Sequence, residues 1–195
     1  MASSSTKEIS FVSKGAMNRR VLLDALQALS DELERRGARG QLFVVGGAAM
    51  ALAYSRDRVT RDIDAIFEPK GTIYQAAQVV GEELGLPQDW LNDAAKSFAP
   101  GDDPGSKVVF STPSLEVAAA SPRYLLAMKI FASRVSSDSD DIRTLYRELG
   151  FTSAEEGLAL VEEMYPHATI PPKTQFLLEE LFGAIGKGPA EPPAE

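Results

Sequence analysis

The sequence predicts an α/β (α+β) fold in which a small mixed β-sheet of four or five strands carries helices and is followed by a C-terminal helical region. Three observations predict it. Short β-branched and aromatic runs alternate with segments of helical periodicity as far as about residue 119. From residue 121 onward the periodic segments are all helical. Hydrophobic residues make up 44% of the 195 residues, which is enough for a sizeable core.

The elements of the first part follow from apolar spacing and from helix-breaking residues. Leucines at helical spacing, from Leu22 to Leu33, predict a first helix that Gly37 ends. Gly46-Gly47 separates a short apolar strand from the helix after it. The predicted strands are residues 41–45, 62–67, 107–111 and 115–119, and the predicted helices are 17–36, 48–54, 72–84 with Thr72 as N-cap, and a short helix around Trp90 within 86–98.

The second part opens at Ser121-Pro122, a pair typical of a helix start because Ser caps the helix and Pro suits its first turn. Helices are predicted over residues 121–134, 140–149, 153–165 and 172–184. The Ser-rich start and the Gly-, Pro-, Ala- and Glu-rich end lack this periodicity. We therefore divide the chain into a flexible N-terminal arm (1–15), a mixed core (16–120), a helical region (121–185) and a disordered tail (186–195).

Composition excludes several classes of site. The chain has no cysteine, which rules out disulfides, cysteine-ligated zinc and a cysteine nucleophile. A single histidine, His167, rules out a metal site built on several histidines.

The longest apolar stretch, Leu42 to Tyr54, contains two glycines and is too short to span a bilayer. We expect a cytoplasmic protein without a signal peptide or a membrane partner. The net charge of −8 argues against a general nucleic-acid-binding surface, and we expect no DNA partner.

Two aspartates form the main chemical signal. Side chains alternate along a strand, so Asp62 and Asp64 are expected on one face, with Cα atoms roughly 6–7 Å apart. Two adjacent carboxylates repel each other unless a cation lies between them. An Asp-x-Asp pair also occurs by chance on solvated strand faces. Its position after a Gly-Gly turn favours a site for Mg²⁺ or Mn²⁺, with one or two ions bound.

The residues around the aspartates favour a polyphosphate ligand. Mg²⁺ prefers carboxylates together with substrate phosphates, so a nucleoside triphosphate (NTP) is expected nearby. Gly46-Gly47 lets the backbone approach a phosphate, and the helix after it points free N–H groups at the anion. Arg58 and Arg61 supply guanidinium groups that bind phosphate through two donors. A glycine pair between strand and helix is common, so it is a weak signal by itself.

The pattern Gly46-Gly47 followed by Arg-x-Thr-x-Asp-x-Asp over residues 58–64 resembles motif I of the nucleotidyltransferase toxins related to AbiEii and the mycobacterial MenT proteins. These belong to the DNA polymerase beta-like superfamily. Residues 125–134, which include Lys129, and residues 138–142 are similar to two further motifs of the group. Residues 90–93, Trp-Leu-Asn-Asp, are also similar to a segment of it. The resemblance implies that the mixed core, 16–120, is a nucleotidyltransferase core.

The resemblance implies a role for each motif residue. Asp62 and Asp64 would bind the metal ions, and Lys129 would neutralise the triphosphate. Asp138 or Asp141 would assist the acceptor hydroxyl or orient Lys129. The alternatives are a lysine stem packed on the core with its head in water, and acids that favour the dipole at a helix N-terminus.

The resemblance also implies a biological role. Such a toxin transfers a nucleoside monophosphate (NMP) from an NTP to the 3′ end of tRNA, which blocks translation, and it is paired with an antitoxin protein. In these toxins the partner antitoxin can phosphorylate a Ser or Thr at the position of Thr60. A phosphate there would repel incoming nucleotide, whereas the alternative is an ordinary strand-edge threonine. Polymerase-like enzymes often carry a further carboxylate on a neighbouring strand, for which Glu116 is the only candidate by position.

Three other functions stay open. Transfer to a small molecule such as an aminoglycoside, or to a protein hydroxyl, would use the same site, and an acidic surface suits a cationic drug. A catalytically silent module would bind nucleotide or antitoxin without turning substrate over. A zinc- or histidine-based hydrolase is the weakest option, because His167 stands alone.

Overall fold

The computed structural model describes residues 15–132, 138–167 and 169–183. The predicted mixed sheet and the C-terminal helical region are confirmed. The strands are β1 (Gly40–Val44), β2 (Ile63–Glu68), β3 (Leu91–Asn92), β4 (Lys107–Ser111) and β5 (Leu115–Ala119). The α-helices are α1 (Arg19–Arg35), α2 (Gly46–Ala49), α3 (Lys70–Leu84), α4 (Pro122–Phe131), α5 (Ser139–Leu149), α6 (Ala154–Met164) and α7 (Pro172–Phe182). A π-helical turn, Met50–Tyr54, continues α2, and a 3₁₀ helix, Ala94–Phe98, follows β3.

The five strands form one sheet in the order β3-β2-β1-β5-β4. The central strand β1 is antiparallel to β2 and parallel to β5. The edge strand β3 is parallel to β2, and the other edge strand, β4, is antiparallel to β5 with an irregularity between Val108 and Phe110. Val44 pairs with Ala65 of β2 and with Ala119 of β5, so this end of the three strands faces the segments that carry Gly46-Gly47, Asp64 and the start of α4.

Helices α1 and α3 cover one face of the sheet. Apolar side chains that alternate along the strands are buried on this face, in the way that period-2 patterning requires. They pack against an apolar stripe of α1 and the small residues of α3. The side chains are Leu42, Val44, Ile63, Ala65, Phe67, Leu115 and Val117 from the strands, Leu22, Leu26, Leu29 and Leu33 from α1, and Ile73, Ala76, Ala77 and Val80 from α3.

The opposite face of the sheet meets the helical region. Ser121 caps α4 by accepting a hydrogen bond from the backbone N–H of Tyr124 at 3.2 Å, and Pro122 is its first residue, as predicted. The ring of Tyr124 packs edge-on against Phe43 of β1, with centroids 5.2 Å apart. Helices α5 and α6 pack on α4, and α7 packs on α6. A cleft therefore runs between the Asp64 end of the sheet and α4.

Two helix starts differ from the prediction. Helix α3 begins at Lys70, because Pro69 O already accepts a hydrogen bond from Ile73 N at 3.1 Å. Thr72 consequently lies inside the first turn and is not the N-cap, so that prediction is wrong. Helix α2 begins at Gly46 and not at Ala48, since the glycines themselves form its first turn.

The prediction of a short helix around Trp90 is also wrong. Leu91–Asn92 forms strand β3 on the edge of β2, and only Ala94–Phe98 is helical. Tertiary contacts decide this, because the Trp90 indole N–H donates to Ala77 O at 2.9 Å and Trp90 O accepts from Ile63 N at 2.6 Å. These bonds hold the segment extended along the sheet.

Several sequence predictions fall on residues outside the described ranges. The proposed arm lies there except for Gly15, as does the whole of the proposed tail, 186–195. Helix α4 ends at Phe131, and the predicted end at residue 134 lies outside the described residues. Across the described ranges, the helices are all too short or too polar to cross a bilayer.

Gly157 of α6 tests the packing of the helical region. A Cβ at this position would overlap the buried Tyr146 hydroxyl and lie 2.9 Å from Tyr146 Cζ. We expect Gly157→Ala to lower the free energy of unfolding by about 1–3 kcal/mol, the usual cost of overpacking. The matched control is Gly71→Ala in α3, where a Cβ would meet nothing within 4 Å. Because alanine favours helix over glycine, this control should gain roughly 0.5–1 kcal/mol. Urea unfolding measures both, and equal effects would contradict the packing argument.

Candidate active site

A cavity of about 680 Å³ lies in the cleft between the sheet and α4. Eight of the ten residues predicted for the site line it, although they come from β2, α2, α4 and the segments before β2 and α5. They are Gly46, Gly47, Arg58, Thr60, Asp62, Asp64, Lys129 and Asp138. Residues as far apart in the sequence as Gly46 and Asp138 thus converge on one space.

The two aspartates enter the cavity from the start of β2. Asp64 is the second residue of the strand and lies next to Val45, whose N–H donates to Asp64 O at 2.9 Å. Asp62 precedes the strand by one residue, so the prediction that β2 includes it is off by one. Both side chains are partly buried and both line the cavity, as the alternation argument expects.

The glycine pair is packed against the same segment. Gly46 has a φ of +62°, which favours glycine, and a Cβ built on it would lie 3.3 Å from Asp64 Oδ2. A Cβ on Gly47 would lie 2.9 Å from Thr60 Oγ1 and 3.2 Å from Thr60 Cβ. The Thr60 hydroxyl donates to Asp62 O at 3.1 Å. The backbone of α2 therefore approaches Thr60 so closely that a side chain on Gly47 would force a shift, and a side chain on Gly46 would crowd Asp64.

Lys129 is held in the cavity wall by two carboxylates. Its side chain is 8% exposed, and its Nζ lies 2.8 Å from Asp141 Oδ2 and 3.4 Å from Asp138 Oδ1. Asp141, 6% exposed, also forms an ion pair through Oδ1 with Arg58 Nε at 3.1 Å. One carboxylate of α5 thus fixes two cations, one from α4 and one from the segment before β2. The predicted role of Asp141 in orienting Lys129 fits this geometry, and Asp141 itself lies behind the cavity lining.

Asn92 is a site residue to which the sequence assigned no role, although it lies in the motif-like segment 90–93. It lines the cavity, and its Nδ2 donates to Asp62 Oδ2 at 3.2 Å. The next residue, Asp93, accepts hydrogen bonds from Lys70 Nζ and from the Tyr74 hydroxyl, the latter at 2.7 Å. The bond from Lys70 and then that from Tyr74 lower the pKa of Asp93. Both donors come from α3, so the segment is tied to the helix next to it.

Apart from Asp89, the remaining wall of the cavity is apolar. Small and flexible side chains from the 3₁₀ helix and from α4 form it: Ala94, Ala95, Phe98, Leu125, Met128 and Ala132. Phe98 is 47% exposed, which is unusual for a large aromatic side chain. The cavity therefore has a charged end at the aspartates and a flat, water-excluding end, which suits a ligand with a polyphosphate and a ring system. Because these residues carry no polar groups, no sequence motif pointed to them.

Three residues that the sequence analysis considered as possible site residues, Arg61, Glu116 and His167, lie outside this cavity. Arg61 is exposed and lines a neighbouring space of about 550 Å³ together with Arg58 and Asp62. Glu116 pairs with Gln41, four residues along the strand from the Asp64 level, so it does not add a third carboxylate. His167 is exposed in a turn.

Asp62 and Asp64 are therefore the carboxylates that the start of β2 brings to the cavity, and Asp89 and Asp138 line it as well. Within the described ranges, no three or more His, Cys, Asp or Glu side chains cluster in a way that could hold a metal ion by themselves. This donor set nevertheless fits Mg²⁺ or Mn²⁺, since such ions commonly use one or two carboxylates and complete their shell with substrate phosphates and water. Zinc sites require three or four protein ligands, and the described part of the chain offers no such cluster.

A model of the protein family described as "Nucleotidyltransferase of unknown function (DUF6036)" matches residues 20–152. The match spans all five strands and every cavity-lining residue. Comparisons with curated proteins and with solved structures gave no match.

Proposed function

The chain belongs to the nucleotidyltransferase family of unknown function (DUF6036), and from this premise we propose that it transfers an NMP from an NTP to an acceptor hydroxyl. The observation that carries the proposal is the convergence of Gly46-Gly47, two carboxylates and a buried lysine on one cavity. Asp62 and Asp64 would hold Mg²⁺ or Mn²⁺. When bound, such ions neutralise the phosphates and stabilise the attacking and leaving oxygens of an in-line displacement.

The chain's own residues have distinct tasks in this reaction. Gly46-Gly47 offers backbone N–H groups to the phosphates. Lys129 offers its ammonium to the triphosphate, and burial strengthens that attraction by lowering the local dielectric. Arg58, 36% exposed, extends the cationic wall. The acceptor oxygen attacks the α-phosphorus, the bond from that phosphorus to the bridging oxygen breaks, and pyrophosphate leaves. We assign the acceptor's proton to Asp138, which lines the cavity.

For the acceptor we propose the 3′ end of tRNA. This rests on the similarity of residues 58–64, 125–134 and 138–142 to the motifs of AbiEii- and MenT-like toxins. The protein would then be the toxin of a toxin–antitoxin pair, acting in the cytoplasm and bound by a cognate antitoxin. Recognition of an RNA end needs few phosphate contacts, and the exposed Arg61 beside the cavity offers one. A small cationic acceptor such as an aminoglycoside is the second candidate, favoured by the net charge of −8.

Incubation with labelled NTPs tests the proposal. Each NTP is combined with Mg²⁺ and with total tRNA, an aminoglycoside panel or a protein mixture, and the label is followed together with pyrophosphate release. We expect label on tRNA with the wild-type protein and none with Asp62→Ala. Label on an aminoglycoside or on protein would replace the tRNA acceptor and keep the transferase. No pyrophosphate release under any condition would contradict the transferase and leave a nucleotide- or antitoxin-binding module.

Growth provides the cellular counterpart of this experiment. Expression of the wild-type protein should arrest growth, whereas expression of Asp62→Ala at the same level should not. Sequencing of RNA 3′ ends from the arrested cells would then identify the extended RNA. Equal growth of both strains would contradict the toxin role while leaving the transfer reaction open to the assay above.

Phosphorylation of Thr60 is a proposed means of control, and a charge substitution tests its physical basis. Thr60 lines the cavity and packs against Gly47. We expect Thr60→Glu to weaken NTP binding about tenfold, or about 1.4 kcal/mol, relative to Thr60→Gln, because only the first adds a negative charge beside the phosphates. The glutamine variant has nearly the same size and controls for steric effects. Equal affinities of the two variants, measured with a fluorescent NTP, would argue against the switch.

A further inference from the structure

Asn92 approaches the proposed metal ligand Asp62 in a geometry that fixes its role. Its Nδ2 lies 3.2 Å from Asp62 Oδ2, and its Oδ1 accepts a hydrogen bond from the backbone N–H of Ala94 at 3.0 Å. A backbone N–H can only donate, so the oxygen of the amide must face Ala94. The NH₂ group must then face Asp62. The orientation of this amide follows from the network and is not an arbitrary choice.

The backbone that carries Asn92 is fixed from three sides. Asn92 pairs with Asp64 in the register of β3 and β2, which brings it to the end of the sheet where both aspartates lie. The buried Trp90 is anchored on α3 by its indole N–H. Asp93 is held by Lys70 and Tyr74 of the same helix. A short, isolated edge strand would otherwise be mobile, so these anchors give the side chain of Asn92 a defined position.

The position matters because Asp62 lies just outside β2, in a bend. A carboxylate there lacks the fixed direction that a strand gives to its side chains. A donor to Oδ2 restricts the rotation of the carboxylate and leaves Oδ1 for another ligand. Partners of this kind commonly orient metal-binding side chains, and their loss typically costs about 10–100-fold in metal affinity or activity.

We propose that Asn92 is the positioning residue for Asp62, holding its carboxylate so that one oxygen faces the cation and the phosphates. The proposal rests on the function proposed above, because it takes Asp62 as a metal ligand. Asn92 itself is not required to touch the substrate. Its contribution is the amide donor, which a carboxylate of the same shape lacks.

Two substitutions separate this role from a purely structural one. Asn92→Ala removes all three hydrogen bonds of the side chain, those that Nδ2 donates to Asp62 Oδ2 and to Asp89 O and the one that Oδ1 accepts from Ala94 N. Asn92→Asp keeps an oxygen that accepts from Ala94 N, but it loses the donor to Asp62 and to Asp89 O. The control is Asn18→Ala, the same substitution at an asparagine whose side chain accepts a hydrogen bond from Val21 N at 3.0 Å at the start of α1. That variant should lose thermal stability without touching the site.

Mn²⁺ binding to the full-length protein, with a non-hydrolysable NTP analogue present, gives a readout that does not depend on turnover. Electron paramagnetic resonance of free Mn²⁺ yields the Kd. We expect Asn92→Ala to weaken Mn²⁺ binding at least about tenfold, and Asn18→Ala to leave it unchanged. We also expect Asn92→Asp to transfer nucleotide at least about tenfold more slowly than wild type at saturating Mn²⁺, with a similar Tm.

The outcomes distinguish this proposal from the proposed function. Wild-type Mn²⁺ affinity in Asn92→Ala would overturn the positioning role and leave the transferase intact. Weaker Mn²⁺ binding in Asn92→Ala, combined with no transfer by the wild-type protein, would support the positioning role and contradict the transferase. Failure of the wild-type protein to bind Mn²⁺ with the nucleotide analogue would overturn both.

Discussion

Replacing Asp64 with asparagine is expected to lower the rate of nucleotidyl transfer by at least about a thousandfold, equivalent to about 4 kcal/mol of transition-state stabilisation. Asp64 is the proposed metal ligand that lies within β2, where the strand fixes its direction towards the cavity. The amide has the same shape but no negative charge, so it cannot hold a divalent cation in competition with water. Single-turnover assays with labelled NTP measure the change.

Glu116→Gln is the matched control for Asp64→Asn. It makes the same chemical change on the same face of the same sheet, but at a distance along the strands of four residues, or roughly 13 Å. Glu116 is exposed and does not line the cavity. We expect wild-type activity from this variant. A large loss in Glu116→Gln, or appreciable activity in Asp64→Asn with an unchanged fold by circular dichroism, would contradict the assignment of the acidic pair.

Local patterns were sufficient to predict most of the fold. Strands β4 and β5 occupy the predicted residues, because two apolar runs flank a turn at Thr112-Pro113 and both runs are long enough to show their period. The start of α4 follows from its Ser-Pro pair in the same way. Strand β3 escaped prediction because it has two residues and exists through pairing with β2 and the anchoring of Trp90. Such tertiary contacts leave no periodic signal in so short a segment.

The site residues, like the strands and helices, fall into those that the sequence predicted and those that only tertiary contacts bring together. The acidic pair and the glycines combine charged or special residue types with a characteristic spacing, and the family resemblance added Lys129, so these residues could be predicted to lie together. Asn92 lies in the motif-like segment 90–93, but the sequence assigned it no role, and the apolar wall carries no motif at all. Only the folded chain brings them to the cavity. The ion pair of Arg58 with Asp141 joins segments from opposite sides of the cleft, and a sequence cannot specify such a distant partner.

Asp141 gives the second large expected effect, on stability. Its side chain is 6% exposed and pairs with Lys129, which is 8% exposed. Alanine at position 141 would leave the buried ammonium without its nearest carboxylate, and breaking a buried pair from one side typically costs about 3–5 kcal/mol. We expect a loss of that size in the free energy of unfolding, together with slower transfer because Lys129 and Arg58 lose their common anchor. Urea unfolding gives the first quantity.

Asp140→Ala separates this effect from helix electrostatics. Asp140 neighbours Asp141 in the first turn of α5 and is exposed, so its removal costs only the dipole interaction, less than about 1 kcal/mol. A further test adds Lys129→Met to Asp141→Ala. Since the double variant buries no unpaired ammonium, it should be more stable than Asp141→Ala alone. If Lys129→Met instead destabilises the protein further, the loss in Asp141→Ala does not come from an unpaired Lys129 ammonium. The Asp141 carboxylate then contributes to the stability of α5 through its packing.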